Sequence, residues 1–358
     1  MRSKGLIFRY IGVIARKFRA FQERWLLPWW DSGGMSTAPL WALDTLVLIV
    51  KLCSTCAIAV VRVLIPPTMK NLYGETVLIT GSGQGLGREL AIQFAELGAT
   101  VICWDHDTPR NNAVVNEIRK KDGECFGFTI DVTSREQVSS LAARLIRQLS
   151  DVSIVVSNAG AYSCGPVTHF RPDAIAKLIE INLLAHFWII QAFLPNMIEK
   201  RRGHIVAINS SAGLMPCAEM VPYCAAKYGL RGLMDAITEE LRLDTWTKNV
   251  YTTSVYLATL STGSYSPPAH RFASLYSEVA PKDAAKIIID GIRKNRKEIS
   301  IPSIMKPLIA LNNILPYRIR IILTDFFNFG HRVCAACCKE CRSNVAFVAK
   351  LCPQDSHR

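Results

Sequence analysis

The chain has 358 residues, half of them hydrophobic, and 42 Lys and Arg against 29 Asp and Glu give it a net charge of +13. That length accommodates one large α/β domain with appendages and does not require two, while a mean hydropathy of +0.19 is high for a wholly water-soluble enzyme. Twelve cysteines are many, yet they lack the arrangement of a secreted disulfide framework, which excludes that class of scaffold.

Residues 1–39 form a basic, aromatic segment. Within residues 1–30 there are seven cations (Arg2, Lys4, Arg9, Arg16, Lys17, Arg19, Arg24) against the single Glu23, interleaved with Phe8, Tyr10, Phe18, Phe21, Trp25, Trp29 and Trp30. Basic and aromatic residues beside an apolar span are the flank of a membrane anchor, so the positive charge points to an anionic membrane surface and not to nucleic acid. The anchor is expected within residues 40–66, with its apolar run from about Thr45 to Ile65. About twenty such residues cross a hydrocarbon core as a helix. Lys51 lies inside the run at a cost of about 1–3 kcal/mol, whereas Arg62 can snorkel, so an interfacial helix or a hairpin stays open as an alternative. Full crossing predicts a cytosolic N-terminus and a lumenal domain; the other two leave both on the cytosolic side, which suits thiols expected to be free, such as Cys53, Cys56, Cys103 and Cys224.

From residue 67 the pattern changes to short apolar runs alternating with longer amphipathic stretches, the signature of βαβ units. Strands are expected at Thr76–Thr80, Thr100–Trp104, Cys125–Ile130, Ser153–Ser157, His204–Asn209, Tyr251–Tyr256 and Glu298–Ile301. Helices are expected at Leu86–Leu97, Asn111–Lys121, Arg135–Leu149, Pro172–Lys200, Pro222–Trp246 and Pro281–Arg296. The sum is an α/β fold: a Rossmann-like, doubly wound parallel sheet of about seven strands over residues 67–302, behind an N-terminal anchoring helix.

The first strand runs into Thr80-Gly81-Ser82-Gly83-Gln84-Gly85-Leu86-Gly87, and a helix follows. Glycines let backbone approach a pyrophosphate, and the helix start offers free N–H groups, so Gly81, Ser82, Gln84, Gly85, Leu86 and Gly87 are candidate cofactor-binding residues. About twenty residues on, Asp105 ends the second strand where a carboxylate can accept bonds from the adenosine ribose and repel a 2′-phosphate. With no basic residue in the glycine loop and His106 following Asp105, NAD is preferred to NADP; a merely solvated strand-end aspartate remains the alternative.

A second constellation is Ser210 at a strand end, with Tyr223 and Lys227 one helical turn apart. A phenol with a pKa near 10 is a poor base at neutral pH and needs a cation beside it, which Lys227 can supply from the same helix face. Ser210 can then bond the substrate oxygen while Tyr223 moves its proton and hydride passes to or from a nicotinamide.

These motifs, T-G-x-x-x-G-x-G at Thr80–Gly87 with Ser210, Tyr223 and Lys227, resemble the short-chain dehydrogenase/reductase superfamily over roughly residues 74–302. Asp131-Val132 after the third strand and Asn158-Ala159-Gly160 after the fourth also match. The resemblance implies that Asp131 and Val132 contact adenine, that Asn158, Ala159 and Gly160 belong to the cofactor site with Tyr223, Lys227 and Thr262, and that Asn182 joins the catalytic set by holding a proton-relay water. Helix capping by Asp131 and a turn role for Asn158 stay open beside this. WDHD, INSSAGL and the Y-C-A-A-K element further resemble a membrane-bound branch of epidermal-type retinol dehydrogenases and 17β-hydroxysteroid dehydrogenases of lipid droplets and endoplasmic reticulum. That implies an NAD(P)-dependent oxidoreductase acting on a lipophilic alcohol or carbonyl (retinoid, steroid or fatty alcohol) at such a surface, with a homodimer left open. One position departs from the family: Leu257 stands where a Pro shapes the nicotinamide wall. A membrane or lipid-droplet scaffold that binds nucleotide with little turnover is the alternative, against which the intact Asn182, Ser210, Tyr223 and Lys227 argue.

Residues 303–358 are expected to be an apolar, Cys-containing extension that faces the membrane, covers the substrate mouth or simply packs as a terminal helix. Cys334, Cys337, Cys338 and Cys341 would line one helical stripe about 10 Å long, a poor cage for tetrahedral zinc. No metal site is expected, and these thiols are read as reduced or lipidated.

Overall fold

The computed structural model describes residues 38–65, 67–148, 151–258 and 279–327. The basic N-terminal segment, Thr262 and the four C-terminal cysteines lie outside them. The chain divides into two compact units, Met1–Thr68 and Met69–Arg358.

Among the described residues of the first unit a helix, α1, runs from Ala38 to Leu64. Its 27 residues reach roughly 40 Å at 1.5 Å per residue, more than a hydrocarbon core of about 30 Å. The stretch Leu43–Val61 is long and apolar enough to cross a membrane, and Leu46, Leu52 and Val60 are exposed on it, so α1 is a candidate membrane anchor. Ser54 and Thr55 donate their hydroxyls to the Lys51 carbonyl at 2.9 and 2.7 Å, so these two polar groups are satisfied within the helix.

The second unit is built on seven parallel strands: β1 (Thr76–Thr80), β2 (Thr100–Asp105), β3 (Cys125–Thr129), β4 (Ile154–Ser157), β5 (Gly203–Ser210), β6 (Val250–Leu257) and β7 (Glu298–Ile301). They lie in the order β3-β2-β1-β4-β5-β6-β7. The chain winds outward from β1 in one direction, then returns to continue from β4 in the other, and Val77 of β1 faces both Val101 of β2 and Ile154 of β4 in register. Such a switch point opens a crevice at the carboxyl ends of the strands, where doubly wound sheets bind ligands.

Both sheet faces are covered, which explains why the strands read as unbroken apolar runs. On one face Val77, Ile79, Val101 and Val255 pack with α2 (Gly85–Glu96), α3 (Thr108–Arg119) and α8 (Pro281–Arg293), through residues such as Phe94, Ile118 and Ile288. On the other, Leu78, Ile102, Trp104 and Ile205 meet α4 (Arg135–Gln148), α6 (Ala185–Glu199) and α7 (Val221–Leu243), through Leu145, Phe193 and Leu230.

The single helix expected over Pro172–Lys200 is instead α5 (Pro172–Ile179), a wide π-turn at Glu180–Leu184, and then α6. The tail beyond β7 is more regular than its sequence implies. It forms α9 (Met305–Ile314) and α10 (Tyr317–Phe327). Met305 and Ile309 of α9 pack on Tyr256 and Leu214, so α9 is in part an ordinary packing helix. On α10, by contrast, Ile319, Ile322 and Phe326 are exposed.

Candidate active site

The glycine turn lies at the switch point, between the end of β1 and the start of α2. Gly81 and Gly85 have φ of +66° and +55°, a left-handed backbone that glycine adopts without a Cβ penalty. A Cβ on Gly87 would come within 1.9 Å of the Gly81 carbonyl oxygen, so the turn closes on itself only with hydrogen there. Gln84, at the N-cap of α2, makes no side-chain cap, so its side chain leaves the first amides of α2 free to take an anion.

Ser82 points inward: its hydroxyl meets the Trp104 carbonyl at 3.2 Å and Asn111 Oδ1 at 2.9 Å. Leu86 is likewise buried in the core. Asp105, at the end of β2, is buried and accepts from the Gly83 amide at 2.8 Å and the Asp107 amide at 2.9 Å, which ties the carboxylate to the loop it was expected to serve. Beside them Arg110 pairs with Asp107 at 3.3 Å and donates to the Gln84 side chain. Sequence reasoning missed Arg110 and Asn111, because a polar residue in a helix's first turn gives no sign of which way it faces.

Asn158 stitches β4 to β1. Its side-chain amide donates to the carbonyls of Thr80 at 2.9 Å and Gly81 at 3.2 Å, while the Asn158 and Ala159 backbone amides donate to the Thr80 hydroxyl. Asp131 uses Oδ1 locally, accepting from the Thr133 amide and hydroxyl at 2.9 and 2.7 Å, beside a buried Val132.

At the carboxyl ends of β4 and β5 the remaining candidates converge. Ser210 is half-buried, and its backbone is held by Asn209, whose Oδ1 accepts the Ser210 amide and whose Nδ2 donates to the Lys227 carbonyl. Lys227 is buried and donates to the Ile208 carbonyl at 3.1 Å, with Nζ 5.7 Å from the centre of the Tyr223 ring. Burial lowers its pKa to about 8. Tyr223 is half-buried by area, yet desolvation pushes its hydroxyl up to about 12, against a hydrogen bond with Ser210 that pulls down and nearby Cys217 and Cys224 that push up. Cys224 itself is drawn to about 7, chiefly by its hydrogen bond with the Cys217 thiol.

Asn182 sits on the π-turn, fully buried. Its Nδ2 donates to the carbonyls of Ala161 at 2.6 Å and Leu178 at 3.0 Å, which leaves Oδ1 without a partner among the described residues. A Cβ on Gly160 would lie 2.9 Å from that oxygen and 3.9 Å from Lys227 Nζ, so Gly160 keeps clear the space between Asn182 and Lys227.

A glycine turn that opens onto an uncapped helix start on one side and a phenol beside an ammonium on the other suit exchange of hydride with a nicotinamide nucleotide, which places the chain among the nucleotide-dependent oxidoreductases. Residues 75–267 match the short chain dehydrogenase family, and the chain belongs to that family. It is 30% identical over 297 residues to 17-beta-hydroxysteroid dehydrogenase 13 of Homo sapiens, covering 81% of this chain and 98% of that one. To epidermal retinol dehydrogenase 2 of Mus musculus it is 33% identical over 265 residues, 73% and 85% of the two chains. Among solved structures, a short chain dehydrogenase/reductase from Burkholderia phymatum in complex with NAD shares the fold, with a TM-score of 0.62 at 23% identity over 68% of this chain and 95% of that one. A metagenomic short-chain oxidoreductase in complex with NADP has a TM-score of 0.55 at 28% identity, over 64% and 98%.

Proposed function

We propose that the protein interconverts a lipophilic alcohol, of retinoid, steroid or fatty type, and its carbonyl, with NAD in preference to NADP, at a membrane or lipid-droplet surface such as that of the endoplasmic reticulum. The observation that carries this is the buried Lys227, whose Nζ lies 5.7 Å from the centre of the Tyr223 ring one turn away on the same helix and is anchored on the Ile208 carbonyl of the strand that ends in Ser210. The nucleotide, when bound, supplies or accepts the hydride. Ser210 holds the substrate oxygen by its hydroxyl. Tyr223 takes the proton from an alcohol oxygen or returns it to a carbonyl oxygen. The ammonium of Lys227 stabilises the phenolate during that exchange, and Asn182 offers its unpartnered oxygen to a relay water.

For the nucleotide, the amides of Gly85, Leu86 and Gly87 would receive the pyrophosphate, and Asp105 the adenosine ribose. Asn158, Ala159 and Gly160 would floor the site beside the Asp131-Val132 edge. Asp105 favours NAD because a buried carboxylate repels a 2′-phosphate. The membrane surface is supported by the exposed apolar length of α1 and by Ile319, Ile322 and Phe326 of α10, which suits a substrate dissolved in lipid. In domain terms the reading keeps a basic segment at 1–39, an anchor at 40–66, the catalytic domain at 67–302 and an extension at 303–358.

Purified protein in detergent, given NAD or NADP with retinol, estradiol or a long-chain alcohol, should produce absorbance at 340 nm, and the Tyr223→Phe variant should not. A wild-type protein that binds NADH yet turns over none of these would replace this reading with a nucleotide-binding scaffold.

A further inference from the structure

His186 lies one helical turn beyond Asn182, at the start of α6, and is 1% exposed. Neither of its ring nitrogens has a hydrogen-bond partner among the described residues. That is a costly state: a buried polar atom left without a partner loses about 1–3 kcal/mol, and most such groups in folded proteins are satisfied by protein or by ordered water. The imidazole is neutral, its pKa pushed down to about 3 by burial first and by the charge of Lys227 second. A neutral imidazole carries one donor and one acceptor nitrogen, so the ring needs two partners and the protein supplies none.

The neighbouring orphan is Asn182 Oδ1. Residues four apart on a helix share a face, and the empty Cβ position of Gly160 brings that oxygen and Lys227 Nζ around one space. Asn182 Oδ1 and the buried ammonium of Lys227 thus border one space, and the imidazole of His186, one turn on from Asn182, lies close enough to Lys227 to feel its charge.

We infer that His186 and Asn182 jointly hold a buried water against Lys227, which makes His186 a positioning residue of the proton relay. Such a water accepts from the Lys227 ammonium and donates to Asn182 Oδ1 and to the acceptor nitrogen of His186, which gives it the roughly three hydrogen bonds typical of a buried water. Replenishing the Lys227 proton then runs through a water fixed on two sides. The inference rests on the Tyr223–Lys227 reading for its catalytic meaning, but the water site stands on geometry alone.

Two measurements on the full chain in detergent separate these. In a crystal structure of the wild-type protein that resolves ordered water, a water is expected within hydrogen-bond distance of both Asn182 Oδ1 and a His186 ring nitrogen; a gap without water, or one closed by side chains, overturns the inference. Next, oxidation of retinol with NAD is followed at 340 nm. The His186→Leu variant is expected to lose about 10-fold or more in kcat and to show a larger solvent deuterium effect on kcat, with KM and NADH affinity unchanged. His186→Gln, which restores a donor and an acceptor, should return to within a few-fold of wild type. A His186→Leu enzyme with wild-type kcat and isotope effect, or a folded His186→Gln as slow as His186→Leu, also overturns it. Activity that survives Tyr223→Phe, or a wild-type protein inert toward retinol, sinks the catalytic reading instead and leaves the crystallographic result to decide the water.

Discussion

Lys227 Nζ stands 5.7 Å from the centre of the Tyr223 ring, and burial moves the two groups in opposite senses, the phenol up to about 12 and the ammonium down to about 8. At neutral pH the pair therefore rests as phenol and ammonium, the form ready to give a proton. Alcohol oxidation needs the proton to leave, so kcat/KM for oxidation should climb from pH 6 and bend over near pH 8 as Lys227 loses the charge that stabilises the phenolate. Carbonyl reduction, which needs the phenol and the ammonium together, should stay level up to about pH 8 and fall above it. Rates measured in both directions across pH 6–10 check this, and two flat profiles would remove the pair from the chemistry.

Replacing the phenol isolates the proton step. Tyr223→Phe keeps the ring that Lys227 faces and deletes only the hydroxyl, so turnover should fall by about 10²–10⁴-fold while NADH affinity, read by fluorescence titration, stays within about 3-fold. A variant with wild-type turnover would assign the proton to another group.

Lys227 should be costly to the fold. Its depressed pKa means that the folded state resists carrying this charge, so below about pH 8 the ammonium weakens the protein, and the penalty fades as the pH rises through 8 toward the unfolded value of 10.5. Lys227→Met, of similar length and uncharged, should be inactive yet melt higher by about 2–6 °C at pH 7. The difference from wild type should shrink toward pH 10. A lower melting temperature at pH 7 would show that the bond to the Ile208 carbonyl outweighs desolvation.

Much of this architecture was legible because its signals are local. The strands at Leu78, Ile102, Val155 and Ile205 are buried from both faces, so contiguous apolar runs announced them, and Pro172, Pro222 and Pro281 marked helix starts. Helix α7 ends at Leu243, before the expected Trp246, because Asp244 accepts from the Trp246 amide and starts a separate turn. The π-turn at Glu180–Leu184 was hidden for another reason. Apolar periodicity runs through it unbroken, and nothing in the sequence tells that the turn widens there or that the Asn182 side chain takes up the Leu178 carbonyl. His186 on an apolar face reads as one more core position; its missing partners exist only in three dimensions.

In the proposed function Asp105 sets the choice of cofactor. Its Oδ2 accepts the Gly83 amide, so Asp105→Ala both loosens the loop and removes the charge that opposes a 2′-phosphate, beside an Arg110 able to meet one. The ratio of kcat/KM for NADP to that for NAD should rise at least about 10-fold, worth roughly 1.4 kcal/mol. Initial rates with both nucleotides measure it, and an unchanged ratio would remove Asp105 from the ribose site.

Gly87 and Gly232 offer a matched pair of alanine substitutions. At Gly87 the added carbon meets the Gly81 carbonyl oxygen at 1.9 Å and the Asn158 amide at 2.7 Å, and since the first is backbone, the turn itself must move. The bond from Asn158 to Gly81 that stitches β4 to β1 would be strained by the same shift. At Gly232, inside α7, nothing lies within 4 Å of the new carbon, and alanine is the better helix former by about 0.8–1 kcal/mol. Gly87→Ala should therefore weaken NADH binding by about 10-fold or more at unchanged helical circular dichroism, whereas Gly232→Ala should bind NADH normally and melt slightly higher. Equal NADH affinity in the two variants would mean that the glycine turn does not have to approach the nucleotide, and the cofactor site would have to be sought elsewhere along the crevice.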